Sequence, residues 1–213
     1  MRKIEAVIFD ADGTILDTKE FIIQGFEHAL EAHGHAVPPR SHISATIAGV
    51  SIEDCYVRLA PDGDIIALCE THRKFQEGRY DLIIAYEGLN DVLALLRSRG
   101  MKLGVCSSRG HSLKPSLSHT SIAHHFDAVI DAHDVTYHKP HPEPVLKTLE
   151  LLGVLPENAA MIGDTSADIA AAKAAGLAIT IGITHGFHER EILEKAGADH
   201  VIDSLRELPA LLH

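Results

Sequence analysis

The chain has 213 residues, 46% of them hydrophobic, enough for one large or two modest domains with a substantial core and no need of staples. Its 30 acids against 19 Lys plus Arg give a formal net charge of -11, which argues against sequence-independent binding of nucleic acid and against attraction to anionic membranes. The three cysteines, Cys55, Cys69 and Cys106, lack metal-ligand spacing and read as thiols of a reducing, cytoplasmic compartment; the apolar run behind Met1-Arg2-Lys3 is too short for a secretory segment, and no run approaches membrane-spanning length.

In chain order, Ile4 to Phe9 is β-branched, aromatic and too short for a helix, so it predicts a buried strand. It ends in Phe9-Asp10-Ala11-Asp12-Gly13-Thr14. If the segment stays extended, Asp10 and Asp12 point the same way, and Gly13 permits the turn that exposes them. Two unit charges ~4 Å apart repel by about 4 kcal/mol at a surface-like dielectric, so keeping both carboxylates calls for a cation or a proton and suggests metal-assisted chemistry. A calcium loop is excluded, because its third acid would fall at Thr14 and its final glutamate at Phe21. A plain Asp-Gly turn is the bland alternative.

Residues 19–33 then read as a helix ending at Gly34, Ser51-x-x-Asp54 as a second helix start stopped by Pro61, and 64–79 as a third helical stretch. No strand interrupts 18–83, which is expected to be a helical insert. From Gly88 the pattern alternates. A helix carrying Leu89, Val92, Leu93 and Leu96 closes at Gly100 and is followed by a strand at 102–106. Further strands are predicted at 126–130, 159–162, 177–181 and 200–202, with helices near 142–152, 167–175, 188–196 and 205–212. Such alternation predicts an α/β fold, a Rossmann-like, mainly parallel sheet whose ligands sit at the carboxyl ends of the strands.

The residues just past those ends form one chemical set: Asp10 and Asp12; Ser107-Ser108-Arg109; Lys139-Pro140 in a later loop; and Gly163-Asp164-Thr165-Ser166-Ala167-Asp168. Each has a structural alternative. The serines suit a turn, Lys139 suits solvent, and Thr165-x-x-Asp168 matches a capping box. Asp164 has no such explanation, and convergence of all four clusters favours a site.

Taken together, these residues resemble the haloacid dehalogenase-like hydrolase superfamily, in its phosphoglycolate phosphatase-like branch with a small helical cap. The likeness spans nearly the whole chain: Phe9 to Thr14, Val105 to Ser108, Lys139 to Pro142 and Gly163 to Asp168 look like its four ordered motifs, and the tail from Gly182 to Asp203 is similar too. Ala11 stands for a commoner leucine, and Ser107-Ser108-Arg109 for a commoner Thr-Asn-Lys. The resemblance implies a core of 1–17 and 84–213 with a cap of 18–83. It implies a Mg²⁺-dependent phosphatase acting on a small phosphorylated metabolite, phosphoglycolate as first guess ahead of pyrophosphate, sugar phosphates and nucleotides.

By that resemblance Asp10 is the nucleophile that becomes an aspartyl-phosphate, and Asp12 the acid and base. Ser107, Ser108 and Lys139 bind the phosphoryl group, with Ser107 and Lys139 also catalytic. Asp10, Asp12 (through its carbonyl), Asp164 and Asp168 hold the metal, Asp168 through water or as a support. Ile47-Ala48-Gly49-Val50-Ser51 would be a specificity loop, and hinges would lie near Asp17-Thr18 and Tyr80 to Tyr86. Asp12 speaks against the dehalogenases. Ile22, where a β-phosphoglucomutase-like enzyme has histidine, and Gly163, where it has an acid, speak against that phosphotransferase. A phosphoacceptor receiver-like module would be shorter and lack the insert. Sixteen histidines share no recurrent zinc spacing, and oligomeric state is not readable.

Overall fold

The structure, a computed structural model, describes residues 3–47 and 50–212. In chain order its elements are β1 (Ala6–Phe9), β2 (Leu16–Asp17), α1 (Lys19–Ala32), α2 (Arg40–Ile47), α3 (Ile52–Leu59), α4 (Ile65–Gln76), β3 (Ile84–Ala85), α5 (Leu89–Ser98), β4 (Lys102–Cys106), α6 (Leu113–His119), β5 (Ala128–Ile130), α7 (Glu143–Leu152), β6 (Ala159–Gly163), α8 (Ser166–Ala174), β7 (Ile179–Ile183), α9 (Arg190–Lys195), β8 (His200–Ile202) and α10 (Leu208–Leu211), with 3-10 turns between some of them. Two compact units result: residues up to Asp17 together with those from Ala85, and Thr18–Ile84.

In the first unit six strands form a wholly parallel sheet, ordered β5-β4-β1-β6-β7-β8. The chain enters at β1, in the middle, builds outward through β4 and β5, and returns to build the other half. The order therefore reverses beside β1, where open sheets of this kind form a crevice at their carboxyl ends. Because β1 is buried on both faces, it is a continuous apolar run and not an alternating one. On one face Ala6 and Ile8 pack with Val145 and Leu149 of α7 and Ala171 and Ala172 of α8. The short alanine side chains let these helices lie close to the sheet. Phe9 points to the other face, edge-on to Phe126 at 6.0 Å between ring centres.

Several boundaries differ from the sequence reading. β5 starts at Ala128 and not at residue 126, because the Asp127 carboxylate is taken by the Leu103 N–H at 2.9 Å and by Arg97. β7 starts at Ile179 and not at 177; the Leu177 N–H closes the end of α8 on the Ala172 carbonyl instead of joining a ladder. Two helices were not anticipated. α2 has only Ile43, Thr46 and Ile47 buried, too weak a stripe to read, and α6 carries Pro115 in its first turn, where the missing N–H costs no helical bond.

In the second unit α1 packs on α4, with Phe26 edge-on to His72 at 4.6 Å between ring centres. Ser51 caps α3 by accepting the Asp54 N–H at 3.1 Å, and Asp64 caps α4 by accepting the Ala67 N–H at 3.1 Å. The loop expected to set specificity, 47–51, lies partly outside the described residues. Among the described residues no helix is long and apolar enough to cross a membrane.

Candidate active site

The ladder that makes the sheet also places the first functional groups. The Asp10 N–H continues the β1–β6 pairing onto the Ile162 carbonyl at 2.9 Å, and the Ser107 N–H continues the β4–β5 pairing onto Ile130 at 3.0 Å. Asp10 and Ser107 thus leave adjacent strands at fixed positions, both buried. Past Asp10 the chain stops being extended: Ala11 is a bend and Asp12 makes an isolated bridge to Leu16. Gly13 turns with φ +76°, and a Cβ there would run into Asp164. The expectation that Asp10 and Asp12 share a direction as neighbours on a strand therefore does not describe the local backbone.

One carboxylate oxygen each from Asp10, Asp164 and Asp168 lie within 4.8 Å of one another, all three residues buried. Lys139, its side chain only 5% exposed, reaches this cluster from the loop before α7. Its Nζ donates to Asp10 Oδ1 at 2.5 Å, to Asp168 Oδ1 at 2.6 Å and to the Cys106 carbonyl at 3.1 Å. The Lys139-Pro140 peptide is cis.

Asp168 is also the helix cap that the sequence allowed. Its Oδ2 accepts the Thr165 N–H at 3.0 Å and the Thr165 hydroxyl at 2.6 Å, completing a capping box on α8 while Oδ1 holds Lys139. Asp164 accepts the Thr14 hydroxyl at 3.2 Å and the Phe187 N–H at 2.7 Å. Neither Thr14 nor Phe187 was given a role in the site by the sequence reading. Thr14 was visible inside the first motif, whereas nothing local marks Phe187.

Electrostatics follow from this crowding. Burial pushes the Asp10 carboxyl up to about 6; Lys139 pulls it back and Asp168 pushes it further up. Burial, then repulsion from Asp10 and Asp168, holds Asp164 well above the usual carboxylate range. Burial disfavours the Lys139 charge, yet Asp10 and Asp168 keep that ammonium protonated well above its ordinary value. Three buried acids against one lysine leave negative charge over. A compact divalent cation with hard oxygen ligands, such as Mg²⁺, fits that donor set.

Asp12 stands outside this trio, and its carboxylate faces Arg109. Arg109 Nε donates to Asp12 Oδ2 at 3.0 Å and Nη2 donates to Asp12 Oδ1. The Arg109 N–H donates to Ser107 Oγ at 3.1 Å. Ser108 is exposed. The structure thus brings together Asp10, Lys139, Asp164 and Asp168 directly, and links Ser107 to Asp12 through Arg109.

A family model of the haloacid dehalogenase-like hydrolases matches residues 7–181. The chain belongs to that family, and it is an enzyme, a phosphatase. Among curated relatives it is 32% identical over 211 residues to the pyrophosphatase PpaX of Anoxybacillus flavithermus, covering 98% of this chain and 97% of that one. A crystal structure of a haloacid dehalogenase-like hydrolase from Bacteroides fragilis superposes with a TM-score of 0.90 at 27% identity, over 97% of this chain and 100% of that one. A predicted phosphoglycolate phosphatase from Haemophilus somnus 129PT shares the fold, with a TM-score of 0.91 at 18% identity over 100% of both chains.

Proposed function

We propose that the protein is a Mg²⁺-dependent phosphomonoester hydrolase of small phosphorylated metabolites that works through an aspartyl-phosphate on Asp10. The observation that carries this reading is the meeting of Asp10, Asp164 and Asp168 within 4.8 Å, with the Lys139 ammonium donating to Asp10 and Asp168. Mg²⁺ would be held by the Asp10 and Asp164 carboxylates and the Asp12 carbonyl, with Asp168 as outer support, and would supply positive charge against the repulsion between a carboxylate and a phosphate dianion.

An Asp10 oxygen attacks phosphorus as the bond to the leaving oxygen breaks, and Asp12 gives that oxygen its proton. In the second half Asp12 takes a proton from water, whose oxygen attacks the phosphoryl group and frees Asp10. Lys139 neutralises phosphoryl oxygens beside Asp10. Ser107 donates its hydroxyl to one of them, and Ser108 binds the same group. Asp168, clamped by its capping box, positions Lys139. Residues 18–83 serve as the helical cap, with substrate selection as its part.

Phosphoglycolate and pyrophosphate are the substrates of first choice. The likeness to a pyrophosphatase at 32% identity raises pyrophosphate from the place behind phosphoglycolate that the family resemblance implies for it. A cytoplasmic setting suits either.

The test is phosphate release from p-nitrophenyl phosphate, pyrophosphate and phosphoglycolate with Mg²⁺. Asp10→Asn is expected to abolish it, by about 10³-fold or more, because the nucleophile is gone. A folded wild-type protein that turns over neither pyrophosphate nor any of a broad panel of phosphate esters would overturn the reading.

A further inference from the structure

Arg109 is a buried cation next to these carboxylates that the proposed chemistry leaves without a part. Its side chain is 9% exposed. Nη1 donates to Ser116 Oγ at 2.7 Å, and Ser116 donates in turn to the Ser112 carbonyl at 2.6 Å, so α6 grips one side of the guanidinium. The other edge, Nε and Nη2, engages both oxygens of Asp12. This edge is a two-point receptor for an oxyanion, and the Asp12 carboxylate shows that it accepts one. Asp12 is the group that hands a proton to the leaving oxygen, so the leaving group comes to rest beside the fork.

We infer that Arg109 sets specificity: its guanidinium exchanges Asp12 for an oxyanion on the leaving group, so the enzyme selects phosphates whose leaving group is itself anionic. This rests on the roles proposed above for Asp10 and Asp12. The exchange keeps the charge balance, one oxyanion replacing another on the same fork, and it frees the Asp12 carboxylate. A neutral leaving group offers no such exchange and leaves Asp12 tied to Arg109. Two chemistries fit the fork, a phosphate as in pyrophosphate and a carboxylate as in phosphoglycolate. A lysine in place of Arg109 would keep the charge but lose the paired donors.

The experiment compares kcat/KM for pyrophosphate, phosphoglycolate and p-nitrophenyl phosphate, whose leaving group carries no charge in the bound ester, in wild type, Arg109→Gln and Arg109→Lys. Arg109→Gln is expected to lower the value for at least one anionic substrate by about 10- to 100-fold more than it lowers that for p-nitrophenyl phosphate, mainly through KM. Arg109→Lys should restore only part of the loss. A loss confined to pyrophosphate assigns the phosphate source, and one confined to phosphoglycolate assigns the carboxylate. Equal losses on all three substrates would overturn the inference and leave Arg109 as a support for Asp12.

Calorimetric titration of pyrophosphate and phosphoglycolate into Asp10→Asn protein reads the fork without turnover. Adding Arg109→Gln should weaken at least one of the two, and unchanged affinity for both would overturn the inference even if the hydrolase reading itself had failed. Should Arg109→Gln not fold, Arg109→Lys carries the same comparison with a smaller expected loss.

Discussion

Lys139 shares one ammonium between Asp10 and Asp168, and all three groups are shut away from water. Removing one partner from a buried ionic set costs far more than the set is worth intact, because the charges left behind stay desolvated. Lys139→Met is therefore expected to lower stability by about 3–5 kcal/mol in urea unfolding with EDTA present. A loss below about 1 kcal/mol would mean that the two carboxylates are already neutral. At this scale the sequence was legible wherever a residue type has few alternatives: Asp164 had no competing explanation, and it lies in the cluster. Arg109 was quoted in its motif yet carried no weight, since an arginine after two serines is equally a surface residue. Its partner Ser116 is seven positions away on a helix that no pattern announced.

The start of α8 shows how one element can hold two offices. Thr165 and Asp168 close a capping box while Asp168 turns its second oxygen to Lys139. Thr165→Ala should cost about 1–2 kcal/mol by thermal or urea unfolding, as loss of an N-cap does, and should lower kcat several-fold because Asp168 loses its hydroxyl donor.

The pairing of α1 with α4 makes a second prediction. His72 is buried edge-on to Phe26 with its Nδ1 2.9 Å from the Tyr56 hydroxyl, and burial pulls its imidazole down to about 3, with Arg73 adding to the shift. The unfolded chain takes this proton near 6.5 and the folded chain only near 3. Stability from this group is therefore complete above about 6.5 and falls by roughly 1.4 kcal/mol per unit as pH drops between those limits. Subtracting the pH dependence of a His72→Phe variant isolates the term, because Asp10, raised and so of opposite slope, cancels. A flat difference between pH 6.5 and 4.5 would show His72 charged in the fold. Elements with a deep apolar stripe, such as α5 and α7, were readable in advance. α2, with a thin one, and the trimmed ends of β5 and β7, decided by side-chain bonds of Asp127 and backbone closure of α8, were not.

For the whole molecule, the proposed Mg²⁺ site at Asp10 and Asp164 would link metal binding to folding. Mg²⁺ at ten to a hundred times its dissociation constant should raise Tm by about 3–10 °C, and Asp164→Asn should remove that gain while leaving the fold intact. An equal rise in both proteins would place the metal elsewhere.

The order of apolar runs and their punctuation was enough to specify a parallel α/β sheet with an inserted helical stretch, and to name the residues just beyond the strands. That information is local: periodicity, turn residues and caps are written in neighbouring positions. Which oxygen faces which cation was settled only by folding. The fork of Arg109 on Asp12, the hold of Asp168 on Lys139 and the bonds of Thr14 and Phe187 to Asp164 join residues 23 to 150 positions apart, and contacts across such separations depend on strand order and on the angle at which each side chain leaves its loop.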